Sequence, residues 1–289
     1  MTIAIRNLWK TYGGSFHALQ DVSLDIGQGM FGLLGPNGAG KSTLMKILST
    51  LETPSRGEVL IDDCDINSKR KELRSTLGYL PQFFGVYAQL TGTEFLRYVG
   101  ELNGVPRKNL RTVVDETLQR VALQNVGDRK VKTYSGGMVR RLGIAQALIG
   151  NPELLIVDEP TVGLDPAERI RFRNLLADIS RDKIIILSTH IVGDISSTCE
   201  DLALLSRGQV VFRGRPADLV AKTDHHVWTA ECSDDEYLTL AAEMQVISSV
   251  AREGGRIVRV VGDPVNGIKM SPESPNLEDA YMYLTREDH

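Results

Sequence analysis

This chain of 289 residues predicts an α/β fold built on a parallel sheet. Two observations carry that expectation. Between residues 154 and 205, apolar runs of strand length (154–157, 184–187, 202–205) alternate with helical stretches (166–179, 192–199). Strands and helices in alternation imply parallel strands joined by crossover helices. The run Leu154-Leu155-Ile156-Val157 is also apolar without interruption. That pattern suits a strand covered on both faces.

The remaining elements attach to this core. Residues 3–8 and 22–26 read as antiparallel strands joined through Gly13-Gly14. Residues 30–34 form a short apolar strand. Residues 42–51 form a helix with Leu44, Ile47, Leu48 and Leu51 on one side. Residues 57–61 make another strand. From about 91 to 150 the pattern turns helical, with helices at 94–102, 109–122 and 138–149. Gly208 divides 202–205 from 210–213, which predicts a closing hairpin.

The chain then divides near Lys222. Residues 1–222 form the main domain, with the helical subdomain inside it. Residues 223–289 form a small α+β appendage: a strand at 227–232, a helix at 235–244, strands at 246–250 and 256–261, and a last helix opening at Leu277. Charge marks the same boundary. The appendage holds 5 basic and 13 acidic side chains, net −8, against 28 basic and 24 acidic, net +4, before it. A mildly basic main domain suits a nucleotide and an anionic membrane surface, and its charge is too weak to argue for nucleic acid, so no specific nucleic-acid partner is expected.

Composition narrows the class. No apolar stretch approaches the roughly 20 residues of a membrane-spanning helix. The N-terminus lacks a basic segment followed by an apolar one, so no secretion signal is expected. Cys64, Cys199 and Cys232 are far apart and odd in number, which suits free thiols in a reducing cytosol.

Gly35-Pro36-Asn37-Gly38-Ala39-Gly40-Lys41-Ser42-Thr43 lies between a strand and a helix and fits the pattern Gly-x-x-x-x-Gly-Lys-Ser/Thr. Glycines there let backbone N–H groups turn inward on a phosphate chain, and the helix start adds partial positive charge. Lys41 can reach the β- and γ-phosphates, and the Ser42 hydroxyl can ligate Mg²⁺. A glycine-rich hairpin would explain the glycines but not Lys41-Ser42 in that setting. Asp158 and Glu159 emerge at the carboxyl end of strand 154–157, where open α/β sheets place ligands. Asp158 would hold Mg²⁺ and Glu159 would orient or deprotonate the attacking water. An acidic pair could otherwise simply open the next helix. The fold class is therefore a P-loop NTPase core, and the expected cofactors are ATP and Mg²⁺.

Further motifs carry a family resemblance. Tyr134-Ser135-Gly136-Gly137-Met138, just upstream of 154–159, resembles the Leu-Ser-Gly-Gly-Gln signature of ATP-binding cassette (ABC) proteins. Gln82, after Gly78-Tyr79-Leu80-Pro81, resembles the Q-loop glutamine. Gly163-Leu164-Asp165-Pro166 resembles the D-loop, and His190 the switch histidine. Tyr12 sits where the family stacks a ring on adenine. The likeness runs from about residue 3 to 220. It implies an ABC ATPase core with an antiparallel β subdomain beside the helical one. It implies catalytic roles for Lys41, Gln82, Glu159 and His190, and metal roles for Ser42, Gln82 and Asp158. Nucleotide contacts would come from Tyr12, Gly35 to Thr43, Ser135, Gly136, Gly137 and Asp165.

Tyr134 and Met138 depart from the signature, but the phosphate-binding Ser135 and Gly137 remain. Ser-Gly-Gly-Met followed by Arg140-Arg141-Leu142 is most similar to the ABC-2 group, as is the ending Pro275-Asn276-Leu277-Glu278-Asp279-Ala280. That resemblance implies a cytoplasmic subunit, peripheral on the membrane's inner face, driving export through a permease on a separate chain. Two cassettes, expected to be a homodimer, would clamp ATP head to tail. Soluble ABC ATPases of ribosomes or DNA share these motifs. Those usually carry two cassettes or a long coiled coil, and this chain has one phosphate loop and no sustained heptad run.

Overall fold

A computed structural model describes residues 1–286 of the chain. The first part runs β1 (Ile3–Tyr12), β2 (Phe16–Ile26), β3 (Gly29–Leu34), α1 (Lys41–Leu48), β4 (Arg56–Ile61), β5 (Cys64–Asp65), α2 (Arg70–Ser75) and β6 (Leu77–Leu80). Three helices follow: α3 (Gly92–Leu102), α4 (Arg107–Arg120) and α5 (Gly136–Leu148). Then come β7 (Leu154–Asp158), α6 (Pro166–Ile179), β8 (Ile184–Thr189), α7 (Val192–Ser196), β9 (Asp201–Ser206), β10 (Gln209–Gly214) and α8 (Pro216–Val220). The last part holds β11 (Val227–Cys232), α9 (Asp234–Glu243), β12 (Gln245–Arg252), β13 (Gly255–Val261), β14 (Met270–Pro272) and α10 (Leu277–Leu284).

The central sheet has six strands in the order β10-β9-β3-β8-β7-β6. All its pairings are parallel except that of β10, which closes the edge as a hairpin with β9. Five strands therefore end on the same side. Alternate residues of β7 and β8 enter opposite cores. Leu155, Val157, Ile185 and Leu187 join one cluster, and Leu154, Ile156, Ile184 and Ile186 join the other. Burial on both faces is why these strands carry no polar alternation.

One face is covered by α1 and by the antiparallel sheet β2-β1-β4-β5. Leu44, Met45, Ile47 and Leu48 of α1 are buried there. Leu51 is not: the helix ends at Leu48, and Leu51 is 59% exposed. Thr50 turns left-handed at φ +61°, and the N–H groups of Leu51 and Glu52 both close on the Lys46 carbonyl. A left-handed closure of this kind ends a helix whatever its apolar periodicity.

The other face carries α3, α4, α5 and α6. Thr91 and Glu94 form a reciprocal cap that starts α3. Ser135 caps α5, and its Oγ accepts from the Met138 N–H at 3.3 Å. β6 runs so close to α5 that a Cβ on Gly78 would lie 2.2 Å from the Ala147 carbonyl oxygen.

The C-terminal sheet, β12-β13-β11-β14, has its own small core of Ala230, Cys232, Leu240, Met244, Val258 and Val260. Helix α10 leaves that core. Its Leu277 and Ala280 join the main cluster with Leu219 of α8 and Ile195 of α7. Among the described residues no helix is long and apolar enough to cross a membrane.

Candidate active site

The loop from Gly35 to Gly40 joins β3 to α1, wedged between two strands. A Cβ on Gly35 would lie 2.3 Å from the Leu205 carbonyl oxygen, and one on Gly40 would lie 2.5 Å from that of Ala18. Gly40 also has φ +103°, which L side chains rarely adopt. Lys41, 5% exposed, folds back over the loop. Its Nζ donates to the carbonyls of Gly35 at 2.7 Å and Pro36 at 3.0 Å. It also pairs with Glu159 Oε1 at 3.2 Å. A cleft of about 360 Å³ opens in front, lined by Phe16, Ala18, Lys41, Ser42, Gln82 and Glu159 together with Asn37, Gly38, Gly40 and Thr43.

Parallel strand ends bring the acidic and histidine motifs here. β8 lies between β3 and β7, so His190 stands between the phosphate loop and the acidic pair. Glu159 Oε2 lies 2.7 Å from His190 Nδ1. A carboxylate only accepts, so that contact puts the proton on Nδ1. Glu159 holds φ +48°, costly for a side chain of its size, and its N–H donates to the Ser188 carbonyl at 3.0 Å. Asp158, 3% exposed, accepts from Ser188 Oγ at 2.6 Å. Burial, reinforced by the Asp158 charge, pushes the Tyr79 phenol up to about 12. Tyr281 on α10 is raised as well, by burial and then by the Glu159 charge.

Gln82 follows β6 and lines the cleft, its carbonyl accepting from Arg140 Nη1 at 2.7 Å. Of the apolar group beyond it, Phe84 and Val86 pack on the core while Phe83 is 85% exposed. Tyr12 lies at the margin. Its hydroxyl bonds Glu52, and Lys10 Nζ sits 4.9 Å above its ring centroid. Burial first, then Glu52, raises its phenol.

The structure does not bring every predicted residue into this cleft. Ser135 and Gly136 are exposed, and Gly136 borders a separate depression with Gln82, Phe83, Tyr134 and Arg140. Asp165 caps α6, accepting from the Glu168 N–H at 2.9 Å. Sequence reasoning missed Phe16, an exposed aromatic ring directly after the Gly13-Gly14 turn that lines the cleft. An aromatic residue close after a glycine turn was the available signal in the sequence.

Residues 19–162 match the family model described as ABC transporter. The Nod factor export ATP-binding protein I of Rhizobium meliloti is 32% identical, over 99% of this chain and 88% of that protein. The chain belongs to the ABC transporter family. The ABC subunit CbiO1 of Clostridium perfringens, part of the complex CbiONQ, superposes with a TM-score of 0.69 at 28% identity, over 76% of this chain and 90% of that one. The dimeric ATP-binding cassette MJ0796, in a post-hydrolysis state bound to ADP and Pi, gives 0.67 at 27% identity, over 74% and 98%. The P-loop cassette fold and the ATP-hydrolysing activity expected from the motifs are those of this family. This ABC chain is an ATP-binding, ATP-hydrolysing transporter subunit.

Proposed function

We propose that this subunit powers export through a permease on a separate chain, from the cytoplasmic face of the membrane. The relatives support the direction, since the Rhizobium protein is named for Nod factor export. The observation that carries the cassette mechanism is the separation of two half-sites. Lys41 and Glu159 line one cleft, and His190 contacts Glu159 beside it. Ser135 and Gly136, at the start of the 13-residue α5, are exposed outside it. A helix N-terminus is built to receive an anion. Two copies facing head to tail would let that turn close on ATP held by the other copy's phosphate loop.

Within the cleft, the loop N–H groups and Lys41 would hold the phosphates. An arriving γ-phosphate competes with Glu159 for Lys41, freeing the Glu159 carboxylate to take a proton from the attacking water. His190, anchored on Glu159, would contact the γ-phosphate. Ser42 Oγ, the Gln82 amide oxygen and buried Asp158 are all oxygen donors, the set that Mg²⁺ prefers. They would hold that ion, whose charge offsets that of the phosphates. Tyr12, beside Thr43, and Phe16 offer rings for the base.

Purification from native membranes in mild detergent tests the transporter reading. A multi-span polypeptide at matched stoichiometry is expected. Recovery with ribosomes or DNA instead would overturn it. For the chemistry, Glu159→Gln is expected to retain ATP binding and lose about 100-fold or more of kcat. Near-normal turnover would remove Glu159 from the role of base.

A further inference from the structure

Asp194 lies four residues beyond His190, in the short helix α7, and is 2% exposed. Its carboxylate gathers three elements. Oδ2 accepts from Thr161 Oγ1, and from Thr189 Oγ1 at 3.5 Å. Oδ1 lies 4.0 Å from Arg173 Nη1 on α6. Thr161 is two residues past Glu159, and Thr189 immediately precedes His190. Arg173 also donates to the Gly193 carbonyl at 2.7 Å and to Ser197 Oγ at 3.0 Å, tying α6 to α7. Thr189 Oγ1 accepts from the Ile191 N–H at 2.9 Å and closes the turn that carries His190.

This arrangement answers a physical need. Glu159 sits in a left-handed backbone conformation, which persists only where its surroundings over-determine it. Its 2.7 Å contact with His190 spans two separate strand ends. Each strand end carries a threonine whose hydroxyl reaches the same buried carboxylate. We propose that Asp194 is a positioning residue for ATP hydrolysis, holding Glu159 and His190 in register through Thr161 and Thr189. Asp194 reaches the reacting groups only through those hydroxyls. The proposal rests on the reading of Glu159 as the base.

The test is a steady-state and binding series on the full chain. Thr161→Val keeps the shape and removes the hydroxyl. It is expected to lower kcat about tenfold, the rate equivalent of one hydrogen bond, with ATP Kd within about twofold and the melting temperature little changed. Thr161→Ser is expected to restore most of kcat. Asp194→Ala should fall at least as far as Thr161→Val, and the double variant should be no worse than Asp194→Ala alone, because the Thr161 bond is already lost with the carboxylate. Two results would overturn the proposal. One is normal kcat in Thr161→Val while Glu159→Gln is inactive. The other is parallel loss of kcat, affinity and melting temperature with no rescue by serine, which marks a purely structural role. Full turnover in Glu159→Gln would remove the base reading and this proposal together.

Discussion

Arg259 and Asp279 form a two-point ion pair between β13 and α10, Nε to Oδ1 at 2.9 Å and Nη2 to Oδ2 at 2.7 Å. Asp279 is fully buried, and its Oδ2 also accepts from the Asn276 N–H at 2.8 Å, so one carboxylate starts the helix and fastens it. The pair holds Arg259 above its ordinary value. Arg259→Ala strands a buried carboxylate, a change that costs about 3 kcal/mol. The expected outcome is a melting temperature lower by about 5 °C or more and faster proteolysis around α10. Arg259→Lys should recover only part, since an ammonium makes no fork. An unchanged melting curve would show that α10 docks through its apolar contacts alone.

Tyr134 stands where the family signature usually has leucine, and the structure gives the ring a packing reason. Its hydroxyl donates to the Val126 carbonyl at 2.8 Å, and burial raises the phenol. A Cβ on Gly92 would come within 2.4 Å of that hydroxyl oxygen, so the fit is close. Tyr134→Phe is expected to lose about 1 kcal/mol in urea unfolding with kcat retained. Tyr134→Leu should lose more, because a void joins the unpaired carbonyl. A large fall in kcat with Tyr134→Phe at unchanged stability would assign the hydroxyl to the chemistry instead.

Cys199 packs beneath β3, where a Cβ on Gly32 would lie 3.2 Å from its Sγ, and burial pushes its thiol up to about 12. Its folded pKa exceeds the unfolded one. The stability it contributes is thus complete below about pH 8.5 and declines as pH rises further. At pH 8 the folded protein is expected to expose only Cys64, which is half-buried, to rapid alkylation. Burial also raises the Cys232 thiol and slows it. Thiol titration with and without guanidinium measures this. Rapid native labelling of Cys199 would mean that α7 opens readily from the sheet.

The sequence by itself determined most of the local structure. Apolar runs specified β7 and β8, because strands covered on both faces cannot tolerate polar alternation. Residues 166–179 coincide with α6 because Asp165 and Pro166 start that helix unaided by any distant contact. The places of the Gly35–Gly40 loop between β3 and α1, of Asp158-Glu159 at the end of β7 and of the Ser135 turn opening α5 were legible for the same reason, since local backbone geometry sets them. Short elements such as β5, α2 and β14 left too few residues to show a period. The early end of α1 turns on the left-handed Thr50, which apolar periodicity does not report. Strand order, the shared anchorage of Thr161 and Thr189 on Asp194, Phe16 in the cleft and the return of α10 to the main core were decided only by the tertiary structure. Each depends on residues distant along the chain meeting in space. No local propensity encodes β8 inserted between β3 and β7, yet that placement sets His190 against Glu159.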